Sequence, residues 1–459
     1  MRRQKSARPN LRIEQLESRE MMAADAMTTL VTDVTATQTA ASRPSTIVIP
    51  IAAAKPRTYD GTGNNLANPQ WGSTDEQLLR VAESEYGDGI STPAGADRPS
   101  AREISNALVN QEVEEPNERQ LSAFIYVWGQ FIDHDMDLTE PPTVGREAYN
   151  VSVPLGDAYF DPDSEGGQWI NLNRSRYDAA TGTSVDNPRE QINQITAWID
   201  GSMIYGSSQS TADSLRTFVG GKLRTSAGNL PPTDAAGNFL AGDARANENV
   251  ELTSMHALFV REHNWWATQI ARQSPRLGDE AIYQQARAIV IAEIQAVTYN
   301  EFLPALLGGG ALDAYSGYDP TVDPSIANEF STASFRIHTM INDDVEFFGN
   351  DGRAVRDEIE LAEAFFNPAL LRETGADSII KYLASTTAQE IDPQIVGSLR
   401  NFLFGQPGQG GFDLASLKIG TMLSPHTPES ASTKRGSFGM ACSVMAWLRS
   451  TYSTSGLAP

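Results

Sequence analysis

Between Gly129 and Pro142 the chain reads GQFIDHDMDLTEPP, a histidine flanked by acids that follows the apolar run LSAFIYVW. Gln130, Asp133, His134 and Asp137 fall at spacings of three, four and seven, so a helix places them on one stripe. A carboxylate taken out of water is costly unless it is paired, hydrogen-bonded or bound to metal. Something must therefore compensate the acids on either side of His134. Histidine suits general acid–base work because its pKa lies near working pH. A core histidine satisfied by its neighbours fits the same context, and on these residues alone both readings stand. His134 is the first of only five histidines, with His256, His263, His338 and His426. The metal-phosphohydrolase use of a His-Asp pair needs another histidine upstream, so it is excluded.

Four other segments carry chemistry-bearing residues. TAWIDGSMIYG (Thr196 to Gly206) offers the Thr196 hydroxyl, the Trp198 carbonyl, the Asp200 carboxylate and the Ser202 hydroxyl at alternate positions. In an extended chain these point to one side, and hard oxygen ligands suit calcium. A turn capped by Asp200 is the other reading. AGDARANENVELTSMH places Arg245 and Glu248 at the start of a helix, where an acid is ordinary dipole chemistry. His256 and His263 are seven residues apart, two helical turns, too far for one ion; they are read as core histidines. FSTASFRIHTMIN holds Arg336 and His338 in a helix-like segment.

These residues need elements to hold them. The run before Gly129 predicts a helix buried on most sides and ending near Asp137, ahead of Pro141 and Pro142. Leu252, His256, Phe259, His263, Trp266 and Ile270 repeat at four and three, which predicts a long amphipathic helix. A second long helix is predicted over Glu280–Gly308, with further helices at Asp357–Phe366 and Asp392–Leu403. Thr196–Gly206 reads as extended at its start. Strand signals are few and no internal repeat occurs, so the fold is mainly α.

Composition bounds the function. A chain of 459 residues, 40% hydrophobic, can bury a sizeable core, and its net charge of −23 argues against nucleic acid or an anionic membrane as main partner. One cysteine, Cys442, rules out an intrachain disulfide and any cysteine-based zinc or iron–sulfur site. No apolar run approaches the roughly 20 residues that cross a bilayer. The first 57 residues read as a basic targeting-like start and a polar linker. LRIEQLESREMMAAD within them resembles the N-terminal motif of many extracytoplasmic proteins of planctomycete-type bacteria, which implies a secreted or cell-surface protein.

From YDGTGNN through ADRPSAR, WGQFIDHDMDLT, TAWIDGSMIYGS, GDARANENVELTSMHALFVREHN, AEIQAVTYNEFLPALLG and FSTASFRIH to GFDLASLKI, the chain resembles the animal-type haem peroxidases of the peroxidase–cyclooxygenase superfamily, and among them the bacterial peroxidasin-like members. The resemblance covers residues 58–419 and implies a helical haem peroxidase domain there. It implies that His134 is the distal catalytic histidine, Gln130 its neighbour and Arg245 the distal arginine. His338 becomes the proximal iron ligand and Arg336 a haem propionate partner. Asp133 and Glu248 match the carboxylates that esterify haem b. Asp135, Thr196, Trp198 (through its carbonyl), Asp200 and Ser202 match a calcium site.

The implied reaction reduces hydrogen peroxide and oxidises halide, thiocyanate or small aromatic donors. A fatty-acid dioxygenase and a catalytically weak adhesive or matrix module are the alternatives. Phe335 stands where dioxygenating members carry a radical tyrosine. Asn249 replaces a methionine that links to haem in some members. Arg336 and His338 are one residue closer than the family spacing. Residues 420–459 do not resemble the family and are expected to be a frameshifted, truncated or divergent tail.

Overall fold

The computed structural model describes residues 56–416 apart from 96 and 336. The N-terminal segment, 1–57, and the tail, 420–459, lie almost wholly outside the described residues. In chain order the elements are α1 (Ala101–Leu108), α2 (Phe124–Met136), the antiparallel pair β1 (Val151–Ser152) and β2 (Trp169–Ile170), α3 (Ser202–Tyr205) and α4 (Gln209–Leu215). Then come α5 (Val250–Gln273), α6 (Asp279–Val297), α7 (Leu303–Leu307), the antiparallel pair β3 (Asp344–Val345) and β4 (Ile359–Glu360), α8 (Leu361–Ala364), α9 (Pro368–Thr374), α10 (Ala376–Ser385) and α11 (Gly397–Asn401). The fold is mainly α, and its named strands are only two residues long. Among the described residues no helix is long and apolar enough to cross a membrane.

Helix α5 is the axis. Its buried face includes Leu252, Met255, His256, Phe259, His263, Trp266 and Ile270, the stripe that the spacing predicts. Helices α2, α6 and α10 pack around it. It starts where it does because Asn249 caps it: the Asn249 side-chain oxygen accepts from the Leu252 N–H at 2.7 Å. Asn249→Ala should cost about 1 kcal/mol in urea denaturation, while Asn249→Ser, which keeps a cap oxygen, should recover most of it. Equal stability of all three proteins would mean that the cap contributes nothing.

The predicted Glu280–Gly308 helix is interrupted. After Val297 the chain makes a π-helical turn, Thr298–Phe302, before α7. Pro304 explains it: proline donates no N–H, and its ring crowds the carbonyl four residues earlier, so the ladder widens. The predicted helices at the C-terminal side are shorter than the sequence suggests. Of Asp357–Phe366 only Leu361–Ala364 is helical, preceded by β4 and ended by Phe366 in a left-handed conformation (φ 48°). Of Asp392–Leu403 only Gly397–Asn401 is helical; Asp392 first caps the Gln394 N–H at 2.7 Å in a turn. Thr196–Asp200 is a series of bends rather than a strand. Gly201 (φ 74°) then turns it into α3. The His338 segment splits into a π-helical turn, Phe330–Ser334, and a 3-10 turn, His338–Met340.

A buried polar brace joins distant parts of the chain. Arg102, 1% exposed, donates to Asp157 at 2.7 Å, to Asp413 at 2.6 Å and to Asn401 at 2.8 Å. It ties α1 to the loop after β1 and to the last described residues.

Candidate active site

Helix α2 and the start of α5 build one face of the site. His134 is buried, and its Nδ1 atom has no protein partner. Its Nε2 lies 3.9 Å from the Glu248 carboxylate. Gln130, one turn earlier on α2, donates to Glu248 Oε2 at 2.9 Å and accepts from Asn249 Nδ2 at 3.0 Å. Burial first, and then the neighbouring Arg245 cation, hold the His134 imidazole well below its ordinary pKa, so it is neutral. A neutral imidazole can accept a proton.

Arg245 sits on a 3-10 turn, Ala244–Asn247, capped by Asp243. The Asp243 carboxylate accepts from the Arg245 backbone N–H at 2.8 Å, from Nε at 2.9 Å and from Nη2 at 2.8 Å. Burial works against the charge on Arg245, but Asp243, with Asp133 and Glu248 farther off, more than offsets it and raises its pKa. The result is a cation locked in one orientation beside a neutral base. Sequence reasoning missed Asp243 and the bridging role of Asn249. An acid two residues before an arginine, at a helix-start position, is the local signal that marks such a clamp.

His338 is brought to the same helix. The side chain of Ile337 occupies the space that a Cβ on Gly129 would fill, and Phe335 lies against the same point. The turn bearing His338 therefore packs directly on α2, one turn before His134. Asp133 is half-buried and acts electrostatically on Arg245. Arg336 lies outside the described residues.

The donor set fits haem. It combines a neutral buried histidine with an unpartnered Nδ1, a fixed guanidinium, two nearby carboxylates, and a second histidine on the segment packed against the same helix.

A second cluster starts at the residue after His134. Asp135 and Asp200 are both completely or almost completely buried. The Ser202 hydroxyl is 2.9 Å from Asp135 Oδ1, and Gly201 N–H donates to Asp135 Oδ2 at 3.1 Å. The Thr196 hydroxyl is 3.1 Å from Asp200 Oδ2 and 3.4 Å from the Trp198 carbonyl. Asp200 Oδ1 is buried with no protein partner. Burial, and then the repulsion between the two acids, pushes the Asp135 carboxyl up; burial also raises Asp200, partly offset by Arg287 and Arg57. Two buried acids with an unpartnered oxygen, set among hydroxyl and carbonyl oxygens, are the kind of hard donors that a cation such as calcium takes. The five oxygen-bearing residues singled out in the sequence converge here although the segment is bent.

His256 and His263 are core residues, as expected. His256 stands edge-on to Phe131 at 5.2 Å, and neither of its ring nitrogens has a protein partner. Burial lowers both histidines to about 4. The unfolded chain takes up these protons near pH 6.5, whereas the native state refuses them until about pH 4. The stability they contribute is therefore full above about pH 6.5 and is lost as pH falls toward 4, on the order of 3 kcal/mol per histidine. Urea midpoints at pH 5 and 7 should show this loss. His256→Leu should reduce it, and an unchanged slope in that variant would exclude His256 as a source.

The animal haem peroxidase family profile matches residues 56–421. Over 388 residues the chain is 34% identical to peroxinectin A of Dictyostelium discoideum, covering 79% of this chain and 72% of that protein. It is also 34% identical to the dual oxidase of Drosophila melanogaster, covering 83% of this chain but only 26% of that much longer protein. Among solved structures, peroxidase A from Dictyostelium discoideum superposes with a TM-score of 0.77 at 30% identity, over 88% of this chain and 86% of that one. A fatty acid alpha-dioxygenase of Oryza sativa superposes with a TM-score of 0.66 at 20% identity, over 88% of this chain and 73% of that one, a likeness of fold alone.

Proposed function

From the premise that this chain belongs to the animal haem peroxidase family, and so is a haem-dependent oxidoreductase acting on hydrogen peroxide and a donor, we propose how its own residues divide the work. The observation that carries the reading is the convergence of Gln130 and His134 from α2, and of Arg245 and Glu248 from the turn before α5, onto one spot. Haem, when bound, supplies the redox-active iron. His338 holds it from the turn packed on α2, Arg336 serves a propionate, and Asp133 and Glu248 are the ester-forming carboxylates.

His134 is the proton carrier. Its Nε2 accepts a proton from the bound peroxide and returns it to the departing oxygen. Arg245, already oriented by Asp243, needs no reorganisation to stabilise the negative charge that develops on that oxygen. Gln130, held between Glu248 and Asn249, orients the peroxide by hydrogen bonding. Calcium occupies the cage of Asp135, Thr196, Trp198, Asp200 and Ser202, and fixes the C-terminal end of α2. The donors are small anions such as halide or thiocyanate, or small aromatic molecules, and the protein works outside the cytoplasm.

The test is the absorbance of the haem-reconstituted chain before and after peroxide, with turnover of an aromatic donor. A Soret band that shifts with peroxide and a donor-dependent return are expected. Oxygen uptake with an unsaturated fatty acid, and none of the donor turnover, would instead favour the dioxygenase reading. A stable folded protein that performs neither reaction would favour the adhesive module.

A further inference from the structure

The site described above does not use a second polar cluster at the other end of α2. Tyr126 is 3% exposed and donates its phenolic hydrogen to Glu251 Oε1 at 3.0 Å. Glu251 is 2% exposed and lies in the first turn of α5, three residues after Glu248. Tyr126 is eight residues before His134 on one continuous helix, which sets their Cα atoms about 12 Å apart. A buried carboxylate facing a phenol is expensive when both keep their ordinary protonation, because the charge has little water around it. Protonation of Glu251 would remove that cost.

We propose that Tyr126 is a redox-active residue that gives up one electron while its proton passes to Glu251. The phenolic O–H bond breaks and the proton goes to Glu251 Oε1. The electron goes to one of the two oxidising equivalents that a molecule of hydrogen peroxide leaves in the haem-loaded protein. What remains is a neutral tyrosyl radical beside a neutral carboxylic acid. No charge is created in the interior, and that is why the step is favourable there. Burial first raises the Glu251 carboxyl to about 7, with the Tyr126 hydrogen bond opposing and Asp344 adding, so the group is ready to take a proton near neutral pH.

Neighbouring candidates lack this balance. Tyr382 is 3.5 Å from the Tyr126 hydroxyl, but it donates to the Asp344 carbonyl at 2.7 Å, which cannot accept a proton outright. Tyr205 donates to His263 Nδ1 at 3.0 Å, since His263 Nε2 is committed to the Gly221 carbonyl at 2.9 Å. Protonating His263 would create a buried cation close to Arg216 and Arg287. Trp128 donates only to the Thr298 hydroxyl at 3.3 Å. Among these described residues, Tyr126 alone has a proton acceptor that becomes less charged on accepting.

The inference rests on peroxide reacting at the haem, so the experiment follows both events in one sample. Haem-reconstituted full chain carrying ring-deuterated tyrosine is mixed with excess peroxide without donor, then frozen for electron paramagnetic resonance while a parallel sample is followed at the Soret band. A tyrosine radical whose lines narrow on deuteration is expected. It should fall at least tenfold in Tyr126→Phe and persist in Tyr382→Phe. Glu251→Gln should lower its yield several-fold, and infrared difference spectra should show a protonated-carboxyl band that appears with the radical and is missing in that variant. A Soret change without a tyrosine radical, or an undiminished radical in Tyr126→Phe, overturns this inference alone. No peroxide-dependent Soret change overturns it together with the peroxidase reading.

Discussion

Replacing His134 with glutamine should slow the reaction with hydrogen peroxide by about two to four orders of magnitude, while haem loading stays intact. General acid–base catalysis by a placed side chain is worth roughly 10²–10⁴, or about 3–5 kcal/mol of barrier. The full effect is expected because the imidazole is neutral: burial and the Arg245 cation both disfavour its protonated form. Glutamine keeps a polar group in the same space without a basic nitrogen, so Gln130, Glu248 and Asn249 should hold their contacts. Iron binding, proposed for His338 on the turn packed against α2, should not respond. Stopped-flow absorbance at the Soret band measures the rate directly. The same neutral imidazole implies a wild-type rate that changes little across neutral pH, because the base is already in its working form. A His134→Gln protein that reacts within a few-fold of wild type, with haem retained, would remove His134 from the mechanism.

The second large effect has a sign that discriminates. With calcium bound between Asp135 and Asp200, Asp200→Asn should lower the thermal midpoint and abolish calcium retention through gel filtration. A cation at 100 times its dissociation constant stabilises the native state by about 2.7 kcal/mol, and the variant and a chelator should each remove an amount of this order. Without a cation the two buried acids repel each other, and neutralising one should raise the midpoint instead. A higher midpoint for Asp200→Asn, unchanged by chelator, would therefore dismiss the site. Because Asp135 adjoins His134, chelation should also slow the peroxide reaction of the wild-type chain.

The parts of this arrangement that repeat in sequence were legible there. Helix α5 announces itself because its buried face recurs every three or four residues over 24 residues, and the 13-residue α2 because its apolar run is almost unbroken. The distance between them in sequence hides the rest. Gln130 and Glu248 are 118 positions apart, and only folding makes them partners. The Tyr126–Glu251 pair spans 125 positions and carries no local pattern at all. Asp243 was within reach of sequence reasoning, because its clamp on Arg245 is made two residues away. Short helices misled for the opposite reason. The segments around Leu361–Ala364 and Gly397–Asn401 show apolar spacing, but neither has a capping side chain at its own N-cap position, and each stops within five residues. The oxygen-bearing residues around Asp200 were legible one by one, but their segment is bent rather than extended. Gly201 allows the bend that ends it.

The contact of Ile337 with Gly129 has a mechanical meaning. Where a side chain rests on a bare backbone, the two elements come closer together than any Cβ at that position would allow. That contact acts as a stop between the helix that carries His134 and the turn that carries His338. A methyl group added at position 129 would meet Ile337 Cδ1, so the isoleucine would have to turn away or the two elements would have to part. An engineer who wants to change the spacing of these two elements should begin with that pair of residues.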